Sequence, residues 1–357
     1  MINVTKTFLP PQQVYGSILS RAWEKGWLTN RGILVRELED ALRDHLNIPN
    51  ITLTNNGTIP LQIAIKSLGL SEEIITTPFS YVATTSSIVW EGCEPVFVDI
   101  EHDHCTIDPV KIEAAITSNT SAILATHVYG NPCDIDAIDA IAEKYNLKVI
   151  YDAAHCFDVT YKNESIFNFG DVATCSFHAT KLFHTGEGGA MMTKDPELHS
   201  KLYEHHNFGH KGQEEFHGLG INAKMSELQA AMGLSVLPYV SEIIESRKKV
   251  VEAYDEVISN LNLERLFIRS NCDWNYSYYP VFFRSEDQLL SIKSALESEK
   301  IFPRRYFYPS LNTLPYVNRQ DCPIAEKKAS TVLCLPLYDS LSMNDVERVT
   351  KIIMSKI

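Results

Sequence analysis

Short apolar runs alternate with longer stretches of helical periodicity between residues 51 and 193. Most of these runs lack a polar residue at every second position, which is typical of strands buried on both faces. The stretches between them carry apolar residues three and four positions apart, as a helix with one apolar face does. The alternation predicts a three-layer α/β/α domain built on a mostly parallel sheet. Seven strands are predicted at 51–54, 73–77, 95–100, 122–128, 148–153, 173–178 and 189–193, with helices at 59–68, 81–90, 110–116 and 134–145.

The pattern changes near Met225. Residues 226–254 contain few helix breakers apart from Gly233 and Pro238, and they predict one long, kinked helix that links two units. Strands are less regularly spaced beyond it, which favours a smaller α+β domain. We expect a large domain at 1–235, including the N-terminal segment, and a small C-terminal domain at 236–357. The C-terminal elements predicted are apolar or extended stretches at 276–283 and 332–336 and helices at 286–299 and 343–354.

Composition narrows the class of protein. The chain has 357 residues, 45% of them hydrophobic, and a net charge of −13. An acidic balance argues against a general nucleic-acid binder, although it does not exclude a local pocket for a small phosphate. No apolar run is long enough to span a bilayer, and the first residues are too polar for a secretory signal. The eight cysteines include no CxxC pair, which favours a reducing cytoplasm. Together with the charge and the absence of a long apolar run, this predicts a cytoplasmic protein with neither membrane nor nucleic-acid partners.

Lys181 is the most informative residue of the sequence. It follows the predicted strand 173–178, in a loop that ends on the paired glycines Gly188 and Gly189. Ligands of open α/β sheets bind in loops at the carboxyl ends of the strands. A lysine held there near apolar groups and another cation can lose its proton and attack a carbonyl. The alternative, for an isolated lysine, is a solvated surface position.

Two further features lie at strand ends. Asp152 ends the strand 148–153, where a buried carboxylate needs a cation or several donors. The ring nitrogen of pyridoxal phosphate is such a cation, and capping of the following turn is the alternative. Gly57 and Thr58 lie between a strand and a helix, where free N–H groups can bind a phosphate and the Thr58 hydroxyl adds a donor. Taken alone, this second feature is also an ordinary helix cap.

Ordered motifs along almost the whole chain resemble the DegT/DnrJ/EryC1/StrS family of sugar aminotransferases, which are fold-type-I pyridoxal-phosphate enzymes. So many matches in the same order make chance agreement negligible. The matching segments are 26–29 (GWLT), 56–58 (NGT), 77–84 (TPFSYVAT), 95–100 (PVFVDI), 127–130 (HVYG), 152–155 (DAAH), 176–181 (SFHATK), 187–189 (EGG), 220–225 (GINAKM) and 335–338 (LPLY).

The resemblance implies catalytic roles for Lys181 and Asp152. Lys181 would form the Schiff base with pyridoxal 5′-phosphate and, once released, move a proton between cofactor and substrate. Asp152 would pair with the pyridine nitrogen. Some members replace the lysine with histidine and dehydrate or deoxygenate their sugar. This chain keeps Lys181, so amino transfer is the expected reaction.

Further binding residues follow from the same resemblance. Tyr81 would stack on the cofactor, with core packing as the alternative, and His155 would lie near the ring hydroxyl or serve as a structural histidine. Asn222 matches a residue that reaches the phosphate from the neighbouring subunit, so a homodimer with shared active sites is expected. Where the family usually has Arg two residues later, this chain has Lys224. The phosphate contacts are assigned to Gly57, Thr58 and Ser176.

Histidines are concentrated between residues 178 and 217. His206 and His210 are four residues apart and could share a helix face as zinc ligands. No HExxH pattern or neighbouring cysteine supports a metal, and Gly209 would interrupt the helix, so no metal site is predicted. The segment 207–212 is instead expected to line the substrate entrance and offer donors to a nucleotide diphosphate.

The implied reaction moves an amino group from L-glutamate to a nucleotide-linked keto sugar. The segments 4–11 and 77–87 look most like those of family members that act on dTDP-4-keto-6-deoxy-D-glucose. Their product, dTDP-4-amino-4,6-dideoxy-D-glucose, is a precursor of bacterial surface polysaccharide. A 3-keto isomer and a UDP-linked sugar remain open, as do a dehydratase or lyase and a non-catalytic regulator. Arg304, Arg305, Tyr306 and Tyr308 lie near the substrate-side stretch, with solvated surface charge as the alternative.

Overall fold

The computed structural model describes residues 1–357 and contains fifteen strands and twelve α-helices. The strands are β1 (Ile2–Asn3), β2 (Ile51–Thr54), β3 (Glu73–Thr76), β4 (Glu94–Phe97), β5 (Thr120–Thr126), β6 (Lys148–Asp152), β7 (Thr160–Tyr161), β8 (Glu164–Ser165), β9 (Val172–Ser176), β10 (Gly189–Met192), β11 (Glu264–Arg265), β12 (Cys272–Asp273), β13 (Tyr279–Phe282), β14 (Ile301–Phe302) and β15 (Val332–Leu335). The helices are α1 (Gln12–Lys25), α2 (Ile33–Leu46), α3 (Ile59–Ser67), α4 (Val82–Trp90), α5 (Pro109–Ala115), α6 (Ile135–Tyr145), α7 (Pro196–His206), α8 (Glu227–Val236), α9 (Val240–Ile258), α10 (Glu286–Ser298), α11 (Pro323–Thr331) and α12 (Met343–Met354).

All seven predicted strands are present, and they form one sheet in the order β2-β10-β9-β6-β5-β3-β4. Only β10 runs antiparallel to its neighbours. The predicted class, a mostly parallel seven-stranded α/β sheet, is therefore confirmed. Because the other six strands run in one direction, the carboxyl ends of β2, β6 and β9 meet at the same edge of the sheet.

Helices cover both faces of this sheet. Ile74 and Ile150 pack in the same cluster as Leu61 of α3, on one face. Their neighbours in sequence, Ile75 and Tyr151, belong to a larger cluster on the other face, with residues of α2, α6 and α8. Successive residues of a strand point to opposite faces, so every side chain of a strand buried on both faces lies in a core. This explains the unbroken apolar runs.

The long, kinked helix predicted at 226–254 is present as consecutive helical segments, and Pro238 marks the kink. The segment folds as two helices, α8 and α9, separated by a 3₁₀ turn, Leu237–Tyr239. Pro238 lies in that turn, because proline lacks the N–H that a continuous helix would use. Gly233 does not end the helix: its Cα faces Leu38 and Thr185 so closely that a Cβ would lie within 3.0 Å of either side chain.

Two helices, α1 and α2, precede β2, in a part of the chain where no element is predicted. The buried Glu227 at the start of α8 accepts hydrogen bonds from the backbone N–H groups of Leu34 (2.8 Å) and Val35 (3.1 Å). A carboxylate from another helix therefore satisfies the free donors at the start of α2.

A second core lies in the C-terminal part of the chain, where β13 pairs with β11 and β15. Its buried residues come mainly from α9, α10, α12 and these strands. β1 pairs with β14, so the first residues of the chain lie on this C-terminal unit, although the predicted large domain includes them. All eight cysteines are free thiols. None of the twelve helices combines the length and apolarity needed to cross a bilayer.

Candidate active site

A cavity of about 340 Å³ opens at the carboxyl edge of the sheet. The loops after β2, β6 and β9 supply its floor, and residues from the C-terminal unit complete the wall. Polar groups converge there on an otherwise aromatic and aliphatic surface, as in sites that bind a small molecule. Seven of the eight predicted site residues line it: Gly57, Thr58, Tyr81, Asp152, His155, Ser176 and Lys181.

Lys181 follows β9 in a loop whose backbone folds back on itself, with its N–H donating to the carbonyl of His178. The flanking Leu182 and Phe183 are buried and anchor the loop. The side chain enters the cavity, where Nζ lies 3.5 Å from the hydroxyl of Tyr278. Burial lowers the pKa of the Lys181 amine, and the charge of Asp152 partly opposes this shift. The site therefore favours the neutral amine more than water does.

Asp152 ends β6 and is 6% exposed. Its Oδ2 accepts a 2.7 Å hydrogen bond from the hydroxyl of Thr84, and its Oδ1 accepts a 3.2 Å bond from the N–H of Ala154. Burial raises the pKa of the Asp152 carboxyl, and the bond from Thr84, the bond from Ala154 and the charge of Lys181 act in the opposite direction. The bond to Ala154 also supports the turn that follows β6. The capping alternative and a role toward a cation are thus both compatible with the geometry.

The loop between β2 and α3 forms one end of the cavity. Asn56 Oδ1 accepts hydrogen bonds from the N–H groups of Thr58 (2.9 Å) and Ile59 (3.0 Å). These two donors were predicted to be free, and they are not. The N–H of Gly57 has no partner in the chain, and Gly57 lines the same cavity as Thr58 and Ser176. A Cβ on Gly57 would lie 2.6 Å from Cβ of Ser176. The anion cradle is therefore narrower than the sequence suggests, with one backbone donor and two hydroxyls.

The paired glycines close the Lys181 loop by allowing a close approach of two backbones. A Cβ on Gly189 would lie 2.4 Å from the carbonyl oxygen of Asn56 and 2.8 Å from that of Cys175. A Cβ on Gly188 would overlap the hydroxyl of Thr185. Only residues without side chains let β10 run between β2 and β9 at this point.

His155 lies deep in the wall, and its Nδ1 accepts a 3.1 Å hydrogen bond from the N–H of Tyr129. This bond leaves the ring proton on Nε2 in the neutral form. Burial lowers the pKa of the imidazole well below its usual value, with a smaller effect from Lys181. The ring stacks parallel to that of Phe307 at 5.6 Å between centroids. Tyr81 lines the opening and is 57% exposed, so packing in the core does not account for it.

The C-terminal unit adds residues that sequence reasoning did not assign. Tyr278 is buried beside both Lys181 and His155. Arg247 on α9 is 4% exposed and donates only to carbonyl oxygens, those of Tyr276 and Ser277. Burial lowers its pKa to about 10. Neither residue lies in a motif that announces chemistry, and only the folded chain brings them to the loop of Lys181.

The four candidate substrate-side residues of segment 304–308 fall into two groups. Arg304 and Tyr306 line the cavity. Arg305 forms an ion pair with Glu286 (2.6 Å), and its guanidinium lies over the ring of Tyr308. Arg304 and Tyr306 therefore face the cavity of Lys181, whereas Arg305 and Tyr308 contact each other, and Arg305 also contacts Glu286.

The segment predicted to line the substrate entrance lies elsewhere in the isolated chain. Asn207, Phe208 and His210 line a second cavity of about 480 Å³, with Arg31 and Lys224. Nζ of Lys224 lies over the ring of Phe208 at 4.3 Å.

Two further predictions concern residues near this segment. α7 ends at His206, whereas His210 lies in the following loop, so the two histidines do not share a helix face. Asn222 is exposed, and the Lys181 cavity of its own chain does not include it. Its predicted phosphate contact would have to be made to another copy of the chain.

Comparison with known proteins relates the chain to one family over nearly its whole length. The model of the DegT/DnrJ/EryC1/StrS aminotransferase family matches residues 17–354. The chain is 40% identical over 359 residues to a dTDP-4-amino-4,6-dideoxy-D-glucose transaminase of Shigella dysenteriae, covering 99% of this chain and 98% of the relative. A transaminase of the same name from Escherichia coli is 38% identical over 370 residues, with the same coverage. The crystal structure of DesI in the presence of its TDP-sugar product superposes with a TM-score of 0.94 at 30% identity, covering 99% of this chain and 93% of that one.

Proposed function

This chain belongs to the DegT/DnrJ/EryC1/StrS aminotransferase family, and we propose that it moves an amino group from L-glutamate to dTDP-4-keto-6-deoxy-D-glucose. The product would be dTDP-4-amino-4,6-dideoxy-D-glucose, for bacterial surface polysaccharide such as O-antigen. The substrate is inferred from the two transaminases that are 40% and 38% identical over nearly the full length. The observation that carries the reaction type is the partly buried Lys181 amine in the same cavity as Asp152 and an anion cradle.

The cofactor of this family is pyridoxal 5′-phosphate, and the residues of the cavity fit it. The unpaired N–H of Gly57 and the hydroxyls of Thr58 and Ser176 suit a phosphate, in a space that a Cβ would fill. Asp152 is a buried carboxylate suited to a protonated ring nitrogen. When bound, the cofactor supplies an electron sink that makes a substrate proton removable.

Lys181 is proposed as the group that takes and returns this proton. A neutral amine is required, and burial lowers its pKa in that direction. Tyr278 would orient the lysine through its hydroxyl, 3.5 Å from Nζ. His155 is proposed to donate a hydrogen bond from Nε2 to the ring hydroxyl of the cofactor, because its Nδ1 already accepts one from the N–H of Tyr129.

The overall transfer occurs in two halves that share the site. Glutamate gives up its amino group and leaves as 2-oxoglutarate, and the keto sugar then takes the amino group and leaves as the amino sugar. Arg304 and Tyr306 on the cavity wall are proposed to face the sugar nucleotide. Binding energy from the nucleotide would orient a small keto sugar with few groups of its own.

A homodimer with shared active sites is part of the proposal. Asn222 is exposed, and Phe216, Leu219 and Ile221 just before it are exposed apolar residues, 63%, 69% and 42% accessible. A partner would cover these side chains and bring Asn222 to the cofactor phosphate. Mixing Lys181→Ala with Asn222→Asp chains tests this arrangement. Shared sites restore about a quarter of the activity in the mixture, since a mixed dimer holds one intact site. No restoration would contradict it.

The substrate is tested by offering glutamate with each of three keto sugars: dTDP-4-keto-6-deoxy-D-glucose, its 3-keto isomer and a UDP-linked 4-keto sugar. The proposal expects the first to be turned over with the highest kcat/KM. Preference for either of the others would replace the specific claim and leave the aminotransferase assignment in place. A sugar that loses oxygen without gaining nitrogen would indicate a dehydratase, and no turnover with bound cofactor would favour a regulator.

A further inference from the structure

Three buried hydroxyls form a hydrogen-bonded series that ends on Asp152. They lie on the β5 side of β6, whereas the loop of Lys181 follows β9 on the other side. Thr126 ends β5, Ser80 precedes α4 and Thr84 lies in its first turn. The hydroxyl of Thr126 donates to Ser80 at 3.1 Å, the hydroxyls of Ser80 and Thr84 are 2.8 Å apart, and Thr84 donates to Asp152 Oδ2 at 2.7 Å. All four residues are at most 6% exposed.

The outer two bonds determine the direction of the middle one. Thr84 has one hydrogen, which goes to Asp152, so its oxygen must accept from Ser80. Ser80 in turn accepts from Thr126. The three hydroxyl hydrogens, those of Thr126, Ser80 and Thr84, therefore all point toward the Asp152 carboxylate. Hydrogen bonds aligned in this way strengthen one another in a buried site.

The reverse direction would suit a protonated Asp152. It would require Thr126 to donate away from Ser80, and its hydroxyl has no other acceptor within the chain. The array therefore excludes a proton on Oδ2, and a hydroxyl that donates to this oxygen stabilises the carboxylate anion more than the neutral acid.

Other buried hydroxyls in this region have no hydrogen-bond partner, so burial alone does not explain the connected set. Thr85 follows Thr84 in α4, is fully buried, and its hydroxyl has no hydrogen-bond partner. Ser87 and Thr76 have buried, unpartnered hydroxyls as well. The connected set is distinguished from these by ending on Asp152, a buried carboxylate of the cavity.

We propose that Thr84, supported by Ser80 and Thr126, holds the Asp152 carboxylate ionised and fixed in direction toward the cofactor ring, so that these three are positioning residues for the amino transfer. The inference rests on the proposed function, because it assigns the hydroxyls a role through the cofactor partner Asp152.

The other ionisable groups near Asp152 do not replace this role. Lys181, from the loop after β9, is the cation that acts on the carboxyl. Burial raises the pKa of the Cys175 thiol on β9 to about 12, and that of the Cys156 thiol after β6 also rises, so both are neutral. His155 is neutral because burial lowers its pKa. When Lys181 is neutral or engaged, the hydroxyls and the N–H of Ala154 are what stabilise the anion.

The test compares Thr84→Val with the matched control Thr85→Val, which removes an unpartnered hydroxyl from the next position of the same helix. The first readout is the dissociation constant of pyridoxal phosphate, and the second is the pH at which the ring nitrogen of the bound cofactor loses its proton, followed by nuclear magnetic resonance of cofactor labelled with ¹⁵N at that position. For Thr84→Val we expect about tenfold weaker binding. The ring nitrogen should also lose its proton about one pH unit lower, because a less stabilised carboxylate supports it less. Thr85→Val should match wild type, and Thr84→Ser, which keeps the hydroxyl, should restore both values.

Ser80→Ala gives a second and independent answer if Thr84→Val does not fold, with a smaller change in the same direction of about threefold. Equal binding and equal titration for Thr84→Val and Thr85→Val would overturn the inference, as would an unchanged titration in Ser80→Ala. A wild-type chain that binds no pyridoxal phosphate would instead refute the proposed function, so the two failures are distinguishable.

Discussion

Gly57→Ala is expected to damage the phosphate end of the cavity while leaving the fold intact. The new Cβ would lie 2.6 Å from Cβ, 2.7 Å from Oγ and 3.0 Å from Cα of Ser176. A rotation of the serine hydroxyl relieves only the second of these contacts. Ser176 cannot retreat, because it ends β9 and is paired in register with Gly189. The loop carrying Gly57 must therefore move outward and take its N–H with it.

The magnitude follows from the cost of overpacking. An extra methyl group that forces a backbone shift costs about 1–3 kcal/mol. Since the shift displaces a donor to the phosphate, most of this cost should fall on binding, which corresponds to about 5- to 100-fold weaker pyridoxal phosphate affinity. Equilibrium dialysis of the cofactor, with a thermal unfolding curve of each apoprotein, measures the two effects separately.

Gly16→Ala is the matched control, because nothing lies within 4 Å of a Cβ at that position of α1. It should bind the cofactor like wild type and raise stability by about 0.5–1 kcal/mol. Combining Gly57→Ala with Ser176→Gly removes the two closest contacts, those with Cβ and Oγ, so Gly57→Ala should weaken binding much less in the Ser176→Gly chain than in wild type. Wild-type affinity in Gly57→Ala, or additive losses in the pair, would refute the reasoning.

Two further predictions concern pH and the lysine. Burial lowers the pKa of His206 to about 4, so the folded chain keeps it neutral while the unfolded chain takes up a proton below about pH 6.5. Its contribution should therefore lower the free energy of unfolding by about 2 kcal/mol between pH 7.5 and 5; urea unfolding of His206→Gln should show a correspondingly shallower loss, and parallel curves would contradict the assignment. Tyr278→Phe removes the hydroxyl near Lys181 and should lower kcat about fivefold and shift its pH profile, with little change in KM for the sugar nucleotide; an unchanged profile would exclude a role in orienting the lysine.

Much of the fold could be predicted because the central sheet is buried on both faces. Each of its seven strands is a short apolar run, and the predicted ends differ from the observed ones by at most a few residues. The order of the strands could not be predicted, since periodicity records burial and not which strand lies alongside. The helix α2 was missed although its apolar residues recur at helical spacing; its first N–H groups are capped by Glu227, almost two hundred residues away in sequence.

The site divides in the same way. Lys181 and Asp152 could be predicted because each lies at the end of a buried strand, where polar residues stand out. Arg247 and Tyr278 could not be predicted, because in the sequence they resemble ordinary residues of α9 and of an apolar run. Folding brings both to the walls of a small cavity that Lys181 also lines. The free N–H groups predicted at the start of α3 were partly wrong for a local reason: Asn56 accepts two of them through its own side chain. Thr84 carries no signal of its own, because its proposed role depends on a contact between helix α4 and Asp152 at the end of β6.

The central claim is that Lys181 supports transfer of an amino group from glutamate to a nucleotide-linked sugar. The most direct measurement supplies L-glutamate with an isotopically labelled amino nitrogen, together with dTDP-4-keto-6-deoxy-D-glucose, and follows the label by mass spectrometry of the sugar nucleotide. The wild-type protein loaded with pyridoxal phosphate is expected to place one labelled nitrogen in each product molecule and to release an equal amount of 2-oxoglutarate, whereas Lys181→Ala transfers none. Label transfer by Lys181→Ala at the wild-type rate, or a wild-type product without labelled nitrogen, would contradict the account.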